Sequence, residues 1–270
     1  MPSLDLDLAL ALQTARRAAE AASRASLVHF RSGVRVELKP DRSPVTVADR
    51  ESEAAVLSVI RSAFPDHSVL GEETGAHSGA AGSRWIVDPI DGTRGFTRGE
   101  GFWGPLVALE HEGEVVAGAM ALPVASEVYF AARGRGAWLS ISGGEPARLQ
   151  VSGIGRWEDA TFSLGEPRVL LAPPFAGPVS RLATTCARTR CHGDLAGFAM
   201  VLAGRAEVWV EAGVQIWDLA PMKILVEEAG GRFTDLAGRP TIASGDCIAS
   251  NGAVHDLVLE AMRGAAPTRA

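Results

Sequence analysis

This chain of 270 residues has few cysteines, no long apolar run and no excess of positively charged residues. Its three cysteines, Cys186, Cys191 and Cys247, lack the CxxC spacing of a zinc or redox site, which favours free thiols. Every apolar run is too short for a signal peptide or a membrane span, so we expect a cytoplasmic protein without a membrane partner. A formal net charge of -6 argues against general electrostatic binding of nucleic acid. Any anionic ligand would need local positive charge, which bound cations can supply.

The composition that remains is that of an ordinary globular protein, with 47% apolar residues, 30 glycines and 15 prolines. This length can bury a large core, in one big domain or in two lobes that share an interface. A Gly/Pro-rich passage from Ser142 to Pro146 divides the pattern. We expect an α+β lobe over residues 1–144, with helices on a largely antiparallel sheet, and an α/β lobe over residues 145–270.

Local patterns predict several helices and strands. Thr46 and Asp49 have the spacing of a capping box, which places Asp49 in the first turn of a helix. Other expected elements include an amphipathic helix from Asp5 to Phe30, and helices at Leu195–Ala203 and Leu219–Ala229. Expected strands include Arg84–Val87, Arg168–Leu171, and a hairpin formed by Pro105–Leu109 and Val115–Leu122.

The most informative stretch is an apolar strand that runs straight into two acids, Asp88 and Asp91. Because a proline stiffens the chain between them, both carboxylates can face one hard cation, and the Ile90 carbonyl can add a third oxygen. The backbone N–H groups of Gly92 and Thr93 then open a turn or helix start, which suits a phosphate oxygen. The pattern therefore predicts a divalent-metal and phosphate site, although alone it is also typical of a solvated turn.

Three further acids, Glu72, Glu73 and Asp218, lie at the end of a strand or at the start of a helix. Glu72 and Glu73 follow a strand, a position that in α/β folds faces a crevice. Asp218 precedes a helix whose early proline is tolerated in the first turn. Each has an ordinary alternative: Asp218 as an N-cap, Asp49 as a helix-dipole partner, and the two glutamates as surface acids. The functional interpretation depends on their joint appearance.

Three motifs together resemble the inositol monophosphatase superfamily. They are Gly71-Glu72-Glu73, the run from Trp85 to Thr93, and Trp217-Asp218-Leu219-Ala220 with Glu228-Ala229-Gly230-Gly231. The resemblance implies a mixed α+β and α/β fold, the layered αβαβα sandwich of the inositol monophosphatase and fructose bisphosphatase type. It also implies a Mg²⁺-dependent, Li⁺-sensitive phosphomonoesterase that is usually a homodimer.

The resemblance also implies a metal-ligand set of two to three Mg²⁺ ions. Glu72, Asp88 and the Ile90 carbonyl would hold one ion, and Asp88, Asp91 and Asp218 a second. Glu72 would help to place a third, weaker ion. Cations are needed because a phosphate monoester dianion repels the attacking hydroxide.

The same resemblance gives catalytic roles to Asp49, Thr93 and Glu72. Thr93, oriented by Asp49, would position the attacking water, while the backbone of Gly92 and Thr93 would bind phosphate oxygens. Water would attack directly. The sequence has neither the Cys-x5-Arg loop of thiol phosphatases nor the Asp-x-Asp motif of aspartyl phosphatases at this site, since Asp88 and Asp91 are three residues apart.

The stretches Arg94–Gly99, Phe102–Leu109 and Arg188–Asp194 resemble the histidinol-phosphatase branch, which acts in histidine biosynthesis. Its small phosphate ester carries an ammonium and an imidazole, so its leaving group favours acidic partners. We expect Asp194, Glu211 and Asp218 to bind it, although Asp194 also suits a helix cap. Phe102 and Trp103 could shape the pocket or pack in the core.

Other functions stay open at this point. An inositol-1-monophosphatase is the first alternative, and a 3′-phosphoadenosine 5′-phosphate phosphatase the next. A non-catalytic metal- or phosphate-binding module, or a purely structural protein, would differ from an enzyme by showing no Mg²⁺-dependent phosphate release.

Overall fold

The computed structural model describes residues 6–79 and 82–263. Its helices are α1 (Leu8–His29), α2 (Val47–Ala63), α3 (Thr93–Arg98), α4 (Pro167–Leu170), α5 (Ala176–Thr185), α6 (Asp194–Leu202), α7 (Ile216–Glu228) and α8 (His255–Met262). Its strands are β1 (Glu37–Leu38), β2 (Pro44–Val45), β3 (Ser68–Gly71), β4 (Gly75–His77), β5 (Ser83–Asp91), β6 (Gly104–His111), β7 (Glu114–Leu122), β8 (Glu127–Ala132), β9 (Ala137–Ile141), β10 (Ala147–Arg148), β11 (Thr161–Leu164), β12 (Arg188–Cys191), β13 (Val208–Ala212), β14 (Arg232–Thr234) and β15 (Asp246–Ser250).

Apart from the β1–β2 hairpin, the described strands form two sheets. The first has eight strands in the order β10-β9-β8-β7-β6-β5-β3-β4, and all its pairs are antiparallel except β3 with β5. The second has five strands in the order β12-β11-β13-β15-β14; β11 runs parallel to both of its neighbours, and the other pairs are antiparallel. The antiparallel sheet expected in the first half is thus present.

The sheets and helices alternate in layers because each β-strand has two apolar faces to cover. Along β5, Trp85 and Val87 pack against α1 and α2, whereas Ile86 points to the opposite side, toward α6 and α7. The second sheet lies beyond α6 and α7, and α5 and α8 cover its far face. The order of layers is αβαβα, which confirms the expected fold class.

The middle core joins the two halves of the sequence. One buried cluster contains Ile86 and Leu106 of the first sheet together with Leu219 of α7 and Phe233 of the second sheet. The first sheet also continues through β10 and so extends past residue 144. The division into lobes 1–144 and 145–270 remains a prediction.

Several local expectations are met, and two are corrected. The first helix begins at Leu8 after the N-cap Asp7, while Asp5 lies outside the described residues. The predicted strand at Arg168–Leu171 is wrong: α4 forms there, because Pro167 suits the first helical position and the Glu166 carboxylate accepts from the Arg168 N–H (2.8 Å). No helix within the described ranges is long and apolar enough to span a membrane.

Candidate metal and phosphate site

A bulge at the end of β5 turns two acids to the same side. Side chains alternate along a regular strand, so residues three apart would face opposite ways. Asp88 of β5 pairs with Leu106 of β6, and Asp91 pairs with Gly104. Between these two pairs β5 contains two residues and β6 contains one, which is the extra residue of a β-bulge. The Ile90 N–H donates to Asp88 Oδ1 (2.9 Å), which holds the bulge. The predicted strand Arg84–Val87 therefore continues to Asp91.

The third acid comes from the other half of the chain. Asp218 lies in the first turn of α7, where its Oδ2 accepts from the Gln215 N–H (2.7 Å). The N-cap is Gln215, so Asp218 takes the third position of a capping box, and Pro221 lies inside the helix instead of in its first turn. Carboxylate oxygens of Asp88, Asp91 and Asp218 lie within 4.8 Å of one another.

Three crowded carboxylates favour a bound cation. Burial raises the pKa of Asp88 well above its ordinary value, and the neighbouring charges of Glu72, Asp91 and Asp218 raise it further. The donors available are carboxylates together with the Ile90 carbonyl, which lies on the same cavity wall. Hard oxygen donors of this kind suit Mg²⁺, so the residues fit the ion that the family resemblance implied.

Glu72 lies beside these acids and has a partner that the sequence did not reveal. Lys39 Nζ lies 2.8 Å from Glu72 Oε1 and 2.7 Å from Glu73 Oε1. Burial opposes the charge of Lys39, but the hydrogen bonds to both glutamates outweigh it and raise the lysine pKa. For the acid Glu73, burial has the opposite effect on the pKa and raises it to about 7. Lys39 comes from the loop before β2, so no local pattern could have predicted this pairing.

Thr93 and Asp49 meet as predicted. The Thr93 hydroxyl lies 3.2 Å from Asp49 Oδ1 and 2.9 Å from the Ile90 carbonyl oxygen, and it can donate its hydrogen bond to either. Asp49 Oδ2 accepts from the backbone N–H and the hydroxyl of Thr46 (both 2.7 Å), which confirms the capping box of α2. Burial raises the pKa of Asp49, while its bonds to Thr46 and Thr93 oppose that shift.

The phosphate-binding turn predicted at Gly92 and Thr93 is the start of a short helix. Gly92 is the N-cap of α3 with φ of 82°, a conformation that a glycine adopts without strain. Among the described residues no side chain caps this end. The first turn of a helix has backbone N–H groups without intrahelical acceptors, which suits an anion.

These groups line a cavity of about 1000 Å³. Residues 39–102 and 165–218 both contribute to its wall, so the cavity lies where the two halves meet. Among the described residues, its wall contains seven carboxylate side chains and three lysine or arginine side chains. They are Asp41, Glu72, Asp88, Asp91, Glu100, Glu166 and Asp218, with Lys39, Arg94 and Arg98.

The residues predicted to bind the leaving group are Asp194 and Glu211, besides Asp218. Glu211 is buried behind the wall, where its carboxylate accepts from the Glu166 N–H (2.9 Å to Oε1). Asp194 is the first residue of α6, whose N-cap is Gly193; the Asp194 side chain lies outside the described part of the structure. Phe102 and Trp103 separate clearly, since Phe102 is 53% exposed and lines the cavity whereas Trp103 is fully buried in the core.

The layered αβαβα core and the carboxylates clustered in its cavity are the features expected of a phosphoric monoester hydrolase. A sequence profile of the inositol monophosphatase family matches residues 5–266. The chain belongs to the inositol monophosphatase family.

Individual relatives agree with this assignment. A histidinol-phosphatase of Mycobacterium tuberculosis is 39% identical over 256 residues, covering 94% of this chain and 96% of the relative. A histidinol-phosphatase of Chlorobaculum parvum is 40% identical, covering 88% and 91%. Among solved structures, the extragenic suppressor protein suhB of Bartonella henselae superposes with a TM-score of 0.84 at 30% identity, covering 95% of this chain and 98% of that one.

Proposed function

We propose that this protein hydrolyses L-histidinol phosphate to L-histidinol and inorganic phosphate, with Mg²⁺ as its cofactor. The observation that carries the proposal is the convergence of Asp88, Asp91 and Asp218 in one cavity, beside the Thr93–Asp49 pair. Similarity to two histidinol-phosphatases over most of the chain supports the choice of substrate.

In this proposal two to three Mg²⁺ ions bind in the cavity, and Li⁺ inhibits. Glu72, Asp88 and the Ile90 carbonyl would hold one ion, and Asp88, Asp91 and Asp218 a second. Glu72 would also help to hold a third. When bound, the ions neutralise the phosphate dianion, acidify a water molecule and stabilise the departing alkoxide. Hydrolysis of phosphate monoesters is among the slowest uncatalysed reactions, so this site must lower the barrier by about 20 kcal/mol or more.

The protein groups around the phosphate orient the reactants. The Thr93 hydroxyl, held by Asp49, positions the water that attacks phosphorus directly. Backbone N–H groups of Gly92 and Thr93 bind phosphate oxygens at the start of α3. Burial of Asp49 in the capping box keeps its Oδ1 directed at Thr93, which limits the orientations that the hydroxyl can take.

The leaving group meets an acidic wall. Histidinol carries an ammonium and an imidazole, and the exposed carboxylates of Glu100 and Glu166 line the cavity together with Asp218. Asp194 is a further leaving-group partner in the proposal. Glu211 contributes indirectly, because its carboxylate holds the Glu166 backbone. An inositol ring offers only hydroxyl groups and gains less from negative charge.

The proposal includes a homodimer, as the resemblance to the family implies, and a cytoplasmic location, as the short apolar runs predict. Size-exclusion chromatography with light scattering measures the mass in solution. A mass near 28.3 kDa, that of one chain, would contradict the dimer but leave the proposed chemistry untouched.

Specificity constants test the substrate. The purified protein is assayed with histidinol phosphate, inositol 1-phosphate, a nucleotide 3′-phosphate and fructose 1,6-bisphosphate under identical Mg²⁺, and an Asp91→Asn variant prepared in parallel measures contaminating phosphatase. We expect kcat/KM to be highest for histidinol phosphate by at least about tenfold, or about 1.4 kcal/mol of transition-state discrimination. A tenfold preference for inositol 1-phosphate would make the inositol enzyme the better assignment.

A further inference from the structure

Two buried acids stand one turn apart on the same face of α2. Asp49 and Glu53 are both fully buried, although burial of a carboxylate is costly unless hydrogen bonds compensate. Asp49 uses one oxygen to hold Thr93. The carboxylate of Glu53 instead accepts hydrogen bonds from a different segment of the site.

Glu53 binds the turn that carries Glu72. Its Oε2 accepts from the Glu73 N–H (2.9 Å), and its Oε1 accepts from the Thr74 N–H (2.9 Å) and from the Thr74 hydroxyl. The carboxylate also packs against Gly71 so closely that a Cβ there would clash with Glu53 Oε1. Glu53 thus contacts the residues on both sides of Glu72.

Glu72 itself is tied to the strand that carries the other acids. Its N–H donates to the Val87 carbonyl oxygen (3.0 Å), one residue before Asp88. With the backbone fixed by β5 on one side and by Glu53 on the other, few conformations of the turn remain. The Glu72 carboxylate is then directed to the wall shared with Asp88.

We propose that Glu53 is a positioning residue that fixes the 71–74 turn so that Glu72 is held ready for Mg²⁺. The inference rests on the proposed function, because it assigns Glu72 to a metal. Asp49 and Glu53 both lie on α2, so one helix fixes the position of the Thr93 hydroxyl and that of the Glu72 carboxylate. Residues that orient metal ligands change metal affinity by about 10- to 100-fold when they are substituted.

Two variants and a matched control test this role. Glu53→Gln puts an amide nitrogen where a carboxylate oxygen accepts an N–H, so at least one bond to the turn is lost. Thr74→Val removes the hydroxyl that donates to Glu53, and with it the contact of that hydroxyl with His77 Nε2 (2.7 Å), from an exposed residue. Glu51→Gln is the control, because Glu51 lies on the same helix with its side chain 55% exposed and pairs with His29.

The measurements are Mg²⁺ affinity by titration calorimetry, phosphate release as a function of Mg²⁺, and the melting temperature without metal. We expect the Kd for Mg²⁺ to rise at least about tenfold in Glu53→Gln and about threefold in Thr74→Val, and to stay within twofold in the control. Raising Mg²⁺ should restore most of kcat, since the ligand Glu72 is still present.

The outcomes separate the inference from the proposed function. If the unmodified protein neither binds Mg²⁺ nor releases phosphate, the proposed function fails. If it does both, and Glu53→Gln lowers the melting temperature with an unchanged Kd, Glu53 is merely structural and the inference is overturned. Should Glu53→Gln not fold, Thr74→Val decides, and an unchanged Kd in that variant overturns the inference equally.

Discussion

Asp218→Asn separates the two interpretations of one residue. As a member of a capping box, Asp218 accepts from the Gln215 N–H. As part of the acidic cluster with Asp88 and Asp91, it is a proposed metal ligand. Asparagine has almost the same shape and can still accept the Gln215 N–H, but it brings no negative charge to the cation.

The two roles differ in the size of the expected effect. Loss of the charge at the start of α7 costs at most about 1 kcal/mol of helix stabilisation. Relief of repulsion with Asp88 and Asp91 offsets part of that cost. Loss of a charged group that stabilises the transition state costs about 3 kcal/mol or more, so turnover should fall by at least about 10²-fold.

The assay is phosphate release at saturating Mg²⁺, with urea unfolding measured on the same preparations. Asp256→Asn is the control, since Asp256 also lies in the first turn of a helix but pairs with Arg232 away from the cavity. We expect near-unchanged stability in both variants and near-complete loss of activity only in Asp218→Asn. Retention of more than about a tenth of the turnover would refute the ligand role.

Two further predictions concern the pocket wall and the pH dependence of stability. Trp103→Ala should destabilise the protein by about 3–5 kcal/mol in urea unfolding, because it removes a fully buried ring. Phe102→Ala should cost less than about 1 kcal/mol of stability. It should instead raise KM for histidinol phosphate, because Phe102 lines the cavity. Equal destabilisation by both would contradict the separate placement of the two rings. When the pH is lowered from 7.5 to 5, the free energy of unfolding should fall in the natural chain by about 2 kcal/mol more than in the His255→Gln variant. Parallel pH profiles of the two proteins would disprove the role of His255.

The pH prediction follows from the surroundings of His255. This fully buried ring lies 2.9 Å from Thr234 Oγ1 and 2.8 Å from Ser250 Oγ. Burial lowers its pKa from 6.5 to about 4, and the charge of Arg232 adds to the shift. The folded protein therefore keeps the ring neutral while the unfolded chain takes up a proton below pH 6.5. Stability from this group is complete above that pH and is lost as the pH falls toward 4.

The sequence also left some elements unpredicted or misplaced. The run Arg168–Leu171 has the apolar content of a strand, yet the proline and acid just before it start a helix. The strands β13 and β15 were not predicted, because each is buried along its whole length and so lacks the alternation that reveals a half-exposed strand.

Local chemistry in the sequence determined the elements whose signals lie within a few residues. The Thr46–Asp49 capping box, the first amphipathic helix and the β6–β7 hairpin are examples, since the groups that stabilise each are neighbours along the chain. The resemblance of three motifs identified the family and its layered fold, and within each motif the residues are close in sequence.

Only the tertiary structure decided which acids share the cavity. Asp88 and Asp91 point the same way because pairing with β6 creates the bulge, and Asp218 joins them because α7 packs between the two sheets. Lys39 and Glu53 reach the Glu72 turn through contacts that close only on folding. Contacts between distant segments depend on how whole layers pack, and that packing is not written in any short stretch of residues.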